Sequence, residues 1–126
     1  MKRLARVMCL AIASVAFAGP EARAAGDPVK GGAVFDRCAI CHSYRKDGGN
    51  KLGPNLFGVV GRKAGTYAGF SYSPAMKGSG ITWTTERLNA YLASPQQVVP
   101  GNRMTFAGIS NAGQRADLVA YLATLK

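Results

Sequence analysis

Three rhythms of apolar and polar residues divide this 126-residue chain. Val7 to Ala18 is an apolar run, interrupted only by Ser14, behind Lys2, Arg3 and Arg6; two later regions carry stripes at helical spacing, and a polar, glycine-rich span without any period lies between them. Asp27-Pro28 predicts a helix start, because Asp can accept from free first-turn amides and Pro is tolerated at the first helical position. Val34, Phe35 and Cys38 then recur as one buried face. From Ser43 to Gly69, Gly48, Gly49, Gly53, Pro54, Gly58, Gly61 and Gly65 break every period. That predicts a long ordered loop wrapped on something, with Leu52, Leu56, Phe57, Val59 and Val60 as its inward points. Ser73-Pro74-Ala75-Met76-Lys77 predicts a single capped turn ending at Gly78 and Gly80. Thr84 caps a further helix, with Glu86 in its first turn and Leu88, Tyr91 and Leu92 on one face, stopped by Pro95. Val98 to Met104 is an irregular strap, and Asn111 begins a last helix striped by Leu118, Val119, Tyr121, Leu122 and Leu125. No strand pattern of length and no repeat is visible, so the expected fold class is all-α.

The early apolar run is about a dozen residues, short of the roughly 20 that a membrane span needs. With its basic start and Ala22-Arg23-Ala24 before Ala25, it is expected to be a secretory signal peptide over residues 1–24. Residues 25–126 are then a single domain, with no room for a second. Export implies a periplasmic location without stable membrane insertion. Cys9 leaves with the leader. Twelve basic and five acidic residues remain, a net charge of +7, scattered among apolar residues without a like-charge block. That spread suits an acidic protein partner better than nucleic acid.

The two remaining cysteines stand in Cys38-Ala39-Ile40-Cys41-His42. Thiols at this spacing can add to the two vinyl groups of one porphyrin, and the adjacent His is carried under the metal: a covalent haem attachment motif. A bound haem would also supply core to a small domain. A disulfide across two residues would stabilise little. Zinc would need four protein ligands or three and a water, and these three neighbours are too crowded, with no second pair elsewhere. A thioredoxin-like pair would need strands alternating with helices. His42 is the only histidine, so the sixth position falls to methionine, another side chain, or a small ligand. Met76 and Met104 are the two methionines after the leader. Met104 is favoured because it ends the Pro100-Gly101 strap, against a role as core methionine. With both axial positions filled, the iron can only exchange electrons, and no nucleophile–base pair or phosphate loop suggests an enzyme. A haem enzyme or gas carrier whose sixth ligand leaves, and a fixed subunit of a larger complex, are the alternatives.

Nearly the whole exported part resembles the class I c-type cytochromes of the mitochondrial-like subgroup. The resemblance rests on the haem motif, Gly53-Pro54-Asn55-Leu56, Gly61-Arg62-Lys63, Gly69-Phe70-Ser71-Tyr72, Gly80-Ile81-Thr82-Trp83, Tyr91-Leu92, Pro100-Gly101-Asn102-Arg103-Met104, Phe106-Ala107-Gly108-Ile109 and Arg115-Ala116-Asp117-Leu118. It implies a small cytochrome c fold, helices and long ordered loops around one haem c bound through Cys38 and Cys41, with His42 and Met104 as axial ligands.

The resemblance further implies that the Pro54 carbonyl accepts from His42, and that Arg62, Tyr72 and Trp83 meet a propionate. Tyr91 and Asn102 would lie beside Met104, Phe106 would cover the haem edge, and the first and last helices would cross near Gly31 or Gly32 and Leu118 or Tyr121. Met76 stands where many relatives carry an asparagine, which implies a smaller, drier polar network. Positions often lysine are Gln96, Gln97, Gly49, Ser110 and Asn111, leaving Arg37, Lys51 and Arg103 as docking contacts. The implied function is a soluble, monomeric electron carrier that docks transiently, by its exposed haem edge, on larger redox proteins.

Overall fold

Asp27 starts the first helix as its side chain allows: the carboxylate accepts the N–H of Val29 (2.9 Å) and of Lys30 (3.3 Å). In this computed structural model, which describes residues 26–126, the helix is α1 (Pro28–Ala39). The leader, its cleavage site and Cys9 lie outside the described residues. The N–H groups of Cys41 and His42 both turn back onto the Cys38 carbonyl (3.0 and 2.9 Å), so the chain leaves α1 in a tight turn that carries the haem motif.

Four further helices follow: α2 (Pro74–Lys77), α3 (Thr85–Ala93), α4 (Pro95–Val98) and α5 (Ala112–Leu122). Ser73, Thr84 and Asn111 cap α2, α3 and α5 through side-chain oxygens that accept from Met76, Arg87 and Gln114. The one-turn helix α4 departs from the sequence reading, which ended regular structure at Pro95. Proline stops α3, yet its fixed φ and missing N–H suit the first position of a new turn, and here it does both. Among the described residues the only β-type pairing is an isolated bridge between Lys63 and Thr82. No described helix is long and apolar enough to cross a membrane.

The helices α1 and α5 cross at Gly31. A Cβ there would run into the Asp117 carbonyl of α5 and sit 2.8 Å from the Tyr121 Cβ, whereas one on Gly32 would find ordinary contact with the Tyr121 ring at 3.6 Å. The crossing is pinned by the Asp27 N–H, which donates to the Asp117 carboxylate (2.7 Å). Phe35 packs beside it, 4.9 Å from the Tyr121 ring and edge-on to Tyr44. Arg115 ties α5 to α3 by donating to the Asn89 side chain and to the Ile109 and Ser110 carbonyls.

The loop after the haem motif is ordered by bonds to distant backbone: Leu56 to Ser43, Gly58 to Leu125, Gly61 to Trp83 and Ala64 to Ile81. Of its expected inward points, Leu56 and Val59 line the central cavity, as does Leu52, though Leu52 is 83% exposed. Phe57 and Val60 do not line it; Val60 packs on the core from outside. Glycines break the alternation here, so no period in the sequence says which apolar side chains turn inward.

Candidate functional site

A cavity of about 600 Å³ is enclosed between α1, α3, α5, the loop and the strap. Its inner wall is apolar, from Val59, Leu88, Leu92, Leu118 and Leu122. Cys38 comes from the last turn of α1 and Cys41 from the turn after it; neither is in a disulfide, and both line the cavity. Burial pushes the Cys38 thiol up, with Arg37 pulling partly the other way.

His42 forms one side. Its Nδ1–H donates to the Pro54 carbonyl at 2.7 Å, which leaves Nε2 as the free lone pair; the tautomer follows because a carbonyl can only accept. Burial lowers the His42 pKa most, the Pro54 bond opposes that, and the nearby Arg62 and Lys51 charges lower it further. The lowering favours the neutral ring, the form that binds a metal. Gly53 lies so close behind it that a Cβ would fall onto the imidazole, so the absence of a side chain there is what allows the ring its place.

Met104 opens onto the same cavity, its backbone N–H held by the Asn102 side-chain oxygen at 2.9 Å. Met76 lines the cavity as well. On the polar side, Arg62 is half-buried, with its ordinary pKa lowered by burial. It donates to the Asn55 and Phe57 carbonyls and lies 4.8 Å over the Tyr67 ring. No carboxylate accompanies it among the described residues. A cation lodged in an apolar wall calls for an anionic substituent on whatever fills the space. Tyr72 accepts the Tyr67 N–H and packs edge-on to Phe70; Trp83 tilts against Tyr91 at 4.8 Å.

Paired thiols, a neutral imidazole, a thioether and an uncompensated guanidinium on one apolar cavity fit a covalently held haem. The residues expected to touch it, Pro54, Arg62, Tyr72, Trp83, Tyr91, Asn102 and Phe106, all line this cavity with Cys38, Cys41, His42 and Met104. Of the docking residues, Arg37 and Arg103 are exposed at its margin. Lys51 is the exception: it does not line the cavity, and its ammonium turns back to the Ala39 carbonyl (2.8 Å) at the end of α1. No group of three His, Cys, Asp or Glu side chains that could hold a metal lies together among the described residues.

Two residues carry more than their sequence reading assigned. Asn55, fully buried, donates from its side chain to the Arg45 carbonyl and accepts the Phe57 N–H, while its own N–H donates to Asn50 and its carbonyl receives Arg62. It fixes the loop directly behind Pro54. A lone amide between Pro54 and Leu56-Phe57 was the available signal. Gln96 bonds to the strap, through contacts that no local pattern announces.

Burial pushes the Tyr91 phenol up to about 12. The folded protein holds this proton more tightly than the unfolded chain, whose value is the ordinary 10.0, so the contribution to stability is complete below that pH and is lost as pH rises toward 12. Across that window the unfolding free energy should fall by roughly 2 kcal/mol more in the unaltered protein than in Tyr91→Phe. Denaturant titrations of both proteins at stepped pH measure the difference, and parallel curves would contradict it.

A family model described as Cytochrome c matches residues 28–126. The chain is 52% identical over 104 residues to a cytochrome c2 from Rhodomicrobium vannielii, covering 82% of this chain and 83% of that one. It is 49% identical over 100 residues to a cytochrome c from Gibberella zeae, covering 79% and 94%. Among solved structures, cytochrome cH from Methylobacterium extorquens superposes with a TM-score of 0.75 at 43% identity, over 79% of this chain and 99% of that one.

Proposed function

The chain belongs to the cytochrome c family, and from that premise we propose that it is a soluble, monomeric periplasmic carrier of single electrons between larger redox complexes, such as a cytochrome bc complex and a terminal oxidase, reductase or photosynthetic centre. Members of the family are electron carriers, and the chain carries one haem c, attached through Cys38 and Cys41. In the proposed reading residues 1–24 are a cleaved secretory signal peptide and 25–126 the cytochrome domain; intact mass of the exported protein, starting at Ala25, tests it.

The observation that carries the function is that His42 and Met104 face one cavity from separate segments, which supports reading them as the two axial ligands. The haem supplies a one-electron iron couple. The protein's residues do the rest. Pro54 orients His42 and strengthens it as a donor by accepting the Nδ1–H. Met104, as the second iron ligand, would keep oxygen and peroxide from the metal. Arg62, Tyr72 and Trp83 would supply donors to a propionate; part of Arg62 is already engaged by the Asn55 and Phe57 carbonyls, so it would meet the propionate as a fixed charge. Phe106 and the leucines exclude water. The thioether–iron absorption band in the oxidised protein, with no spectral change when carbon monoxide meets the reduced form, is the expected result; carbon monoxide binding would overturn the closed-iron reading.

Arg37 and Arg103, exposed at the margin, supply the positive face that steers docking on acidic partners, with Lys51 adding charge from the end of α1. Replacing Arg103 with Glu should slow electron transfer to such a partner by several-fold to about tenfold at low ionic strength, and the deficit should shrink as salt is added. Stopped-flow rates against native membranes measure it, and an unchanged rate removes Arg103 from the docking face.

A further inference from the structure

The strap that ends in Met104 has little regular backbone bonding of its own, and α4 beneath it is one turn long, too short to persist without tertiary support. Two amide side chains join them. Asn102, 7% exposed, donates through Nδ2 to the carbonyls of Pro95 (3.0 Å) and Val99 (2.9 Å), and its Oδ1 accepts the Met104 N–H (2.9 Å). From outside, Gln96 of α4 donates through Nε2 to the Asn102 carbonyl (3.0 Å) and accepts the Gly101 N–H on Oε1 (3.3 Å). The outer amide thus grips the backbone on which the inner amide sits, and the inner amide grips Met104. Both span the sharp turn at Gly101, whose φ of +87° belongs to the left-handed region. The neighbouring Gln97 makes no side-chain bond to the strap among the described residues, although it too is exposed.

We propose that Gln96 and Asn102 are positioning residues, an outer and an inner latch, that hold the strap on α4 and thereby set how readily Met104 leaves the iron to an external ligand. The proposal rests on Met104 being the sixth ligand. It assigns Gln96 a part in the iron site, although Gln96 lies outside the cavity lining. Asn102 spends both Nδ2 donors and one acceptor direction of Oδ1 on the backbone, so its contribution is to place Met104.

The test uses the haem-loaded protein. Imidazole is titrated into the oxidised form while the thioether–iron band is followed, and exchange of the Gly101 and Met104 amide protons is measured separately by NMR in the reduced form. Gln96→Ala should bind imidazole roughly fivefold more tightly and exchange those two amides faster by a similar factor, the loss expected for two partly exposed hydrogen bonds. Gln97→Ala should behave as the unaltered protein. Gln96→Glu, which keeps the acceptor for Gly101 but loses the donor to Asn102, should fall between them. Equal imidazole affinity and equal exchange in Gln96→Ala and Gln97→Ala would overturn the latch. If Met104→Ala keeps the thioether–iron band, the ligand assignment falls and the latch with it; if Met104→Ala abolishes the band while Gln96→Ala changes nothing, the latch alone is wrong.

Discussion

Met104→Ala is expected to lower the reduction potential by roughly 0.2 V, a quarter of the range over which axial ligands tune haem iron. For a single electron at 59 mV per factor of ten, that is a change of roughly two thousandfold in the balance between reduced and oxidised forms. A soft thioether favours the reduced iron and contributes no charge. Alanine would leave the iron to water or an added ligand in place of the thioether, and both favour the oxidised state more. Met76→Ala is the matched comparison, because Met76 lines the same cavity from α2 and loses the same thioether. Its potential should stay close to that of the unaltered protein, and its oxidised form should keep the thioether–iron band. Spectroelectrochemical titration of the three proteins decides the matter. An unchanged potential in Met104→Ala would falsify the assignment, and the reverse pattern would transfer the ligand to Met76.

A large effect on stability is expected at Gly31. Its α-carbon faces the Asp117 carbonyl across the α1–α5 crossing, and backbone on both sides leaves no flexible atom to move away from an added methyl group. Gly31→Ala should therefore cost roughly 3 kcal/mol, at the upper end for overpacking and a large share of the 5–15 kcal/mol by which domains are stable. Part of that loss comes from the bond between the Asp27 N–H and Asp117, which the forced separation lengthens. Gly32→Ala should do the opposite. The new Cβ meets only the Tyr121 ring at ordinary contact distance, and alanine gains up to about 1 kcal/mol of helix propensity over glycine. Guanidinium unfolding of the two haem-loaded variants should thus diverge although the substitutions are adjacent and chemically identical. Equal midpoints would mean that the helices do not cross at Gly31.

That contrast shows how far the chain could be read in one dimension. Helix starts at Asp27, Ser73, Thr84 and Asn111 were legible because a capping side chain acts within three residues of itself. The haem motif was legible for the same reason: Cys38, Cys41 and His42 lie within a single turn, so their spacing is already their geometry. The short helix α4 was not, since Pro95 signals an end as readily as a beginning. Phe57 and Val60 do not line the cavity, and Val60 packs on the core instead, because apolar residues in a glycine-broken loop have no periodic face to announce which of them meets it.

The sequence by itself determined the all-α class, the covalent haem site and, through its single histidine, the need for a sixth ligand from elsewhere in the chain. These follow from local chemistry and from composition, which folding does not alter. The tertiary structure decided which of two glycines bears the helix crossing, that Asn55 is the buried hub behind Pro54, that Lys51 turns from the cavity to the end of α1, and that Gln96 holds the strap before Met104. Each of these depends on backbone groups that are far apart along the chain or hidden in irregular turns, and their hydrogen bonds and contacts exist only once the chain has closed around its cavity.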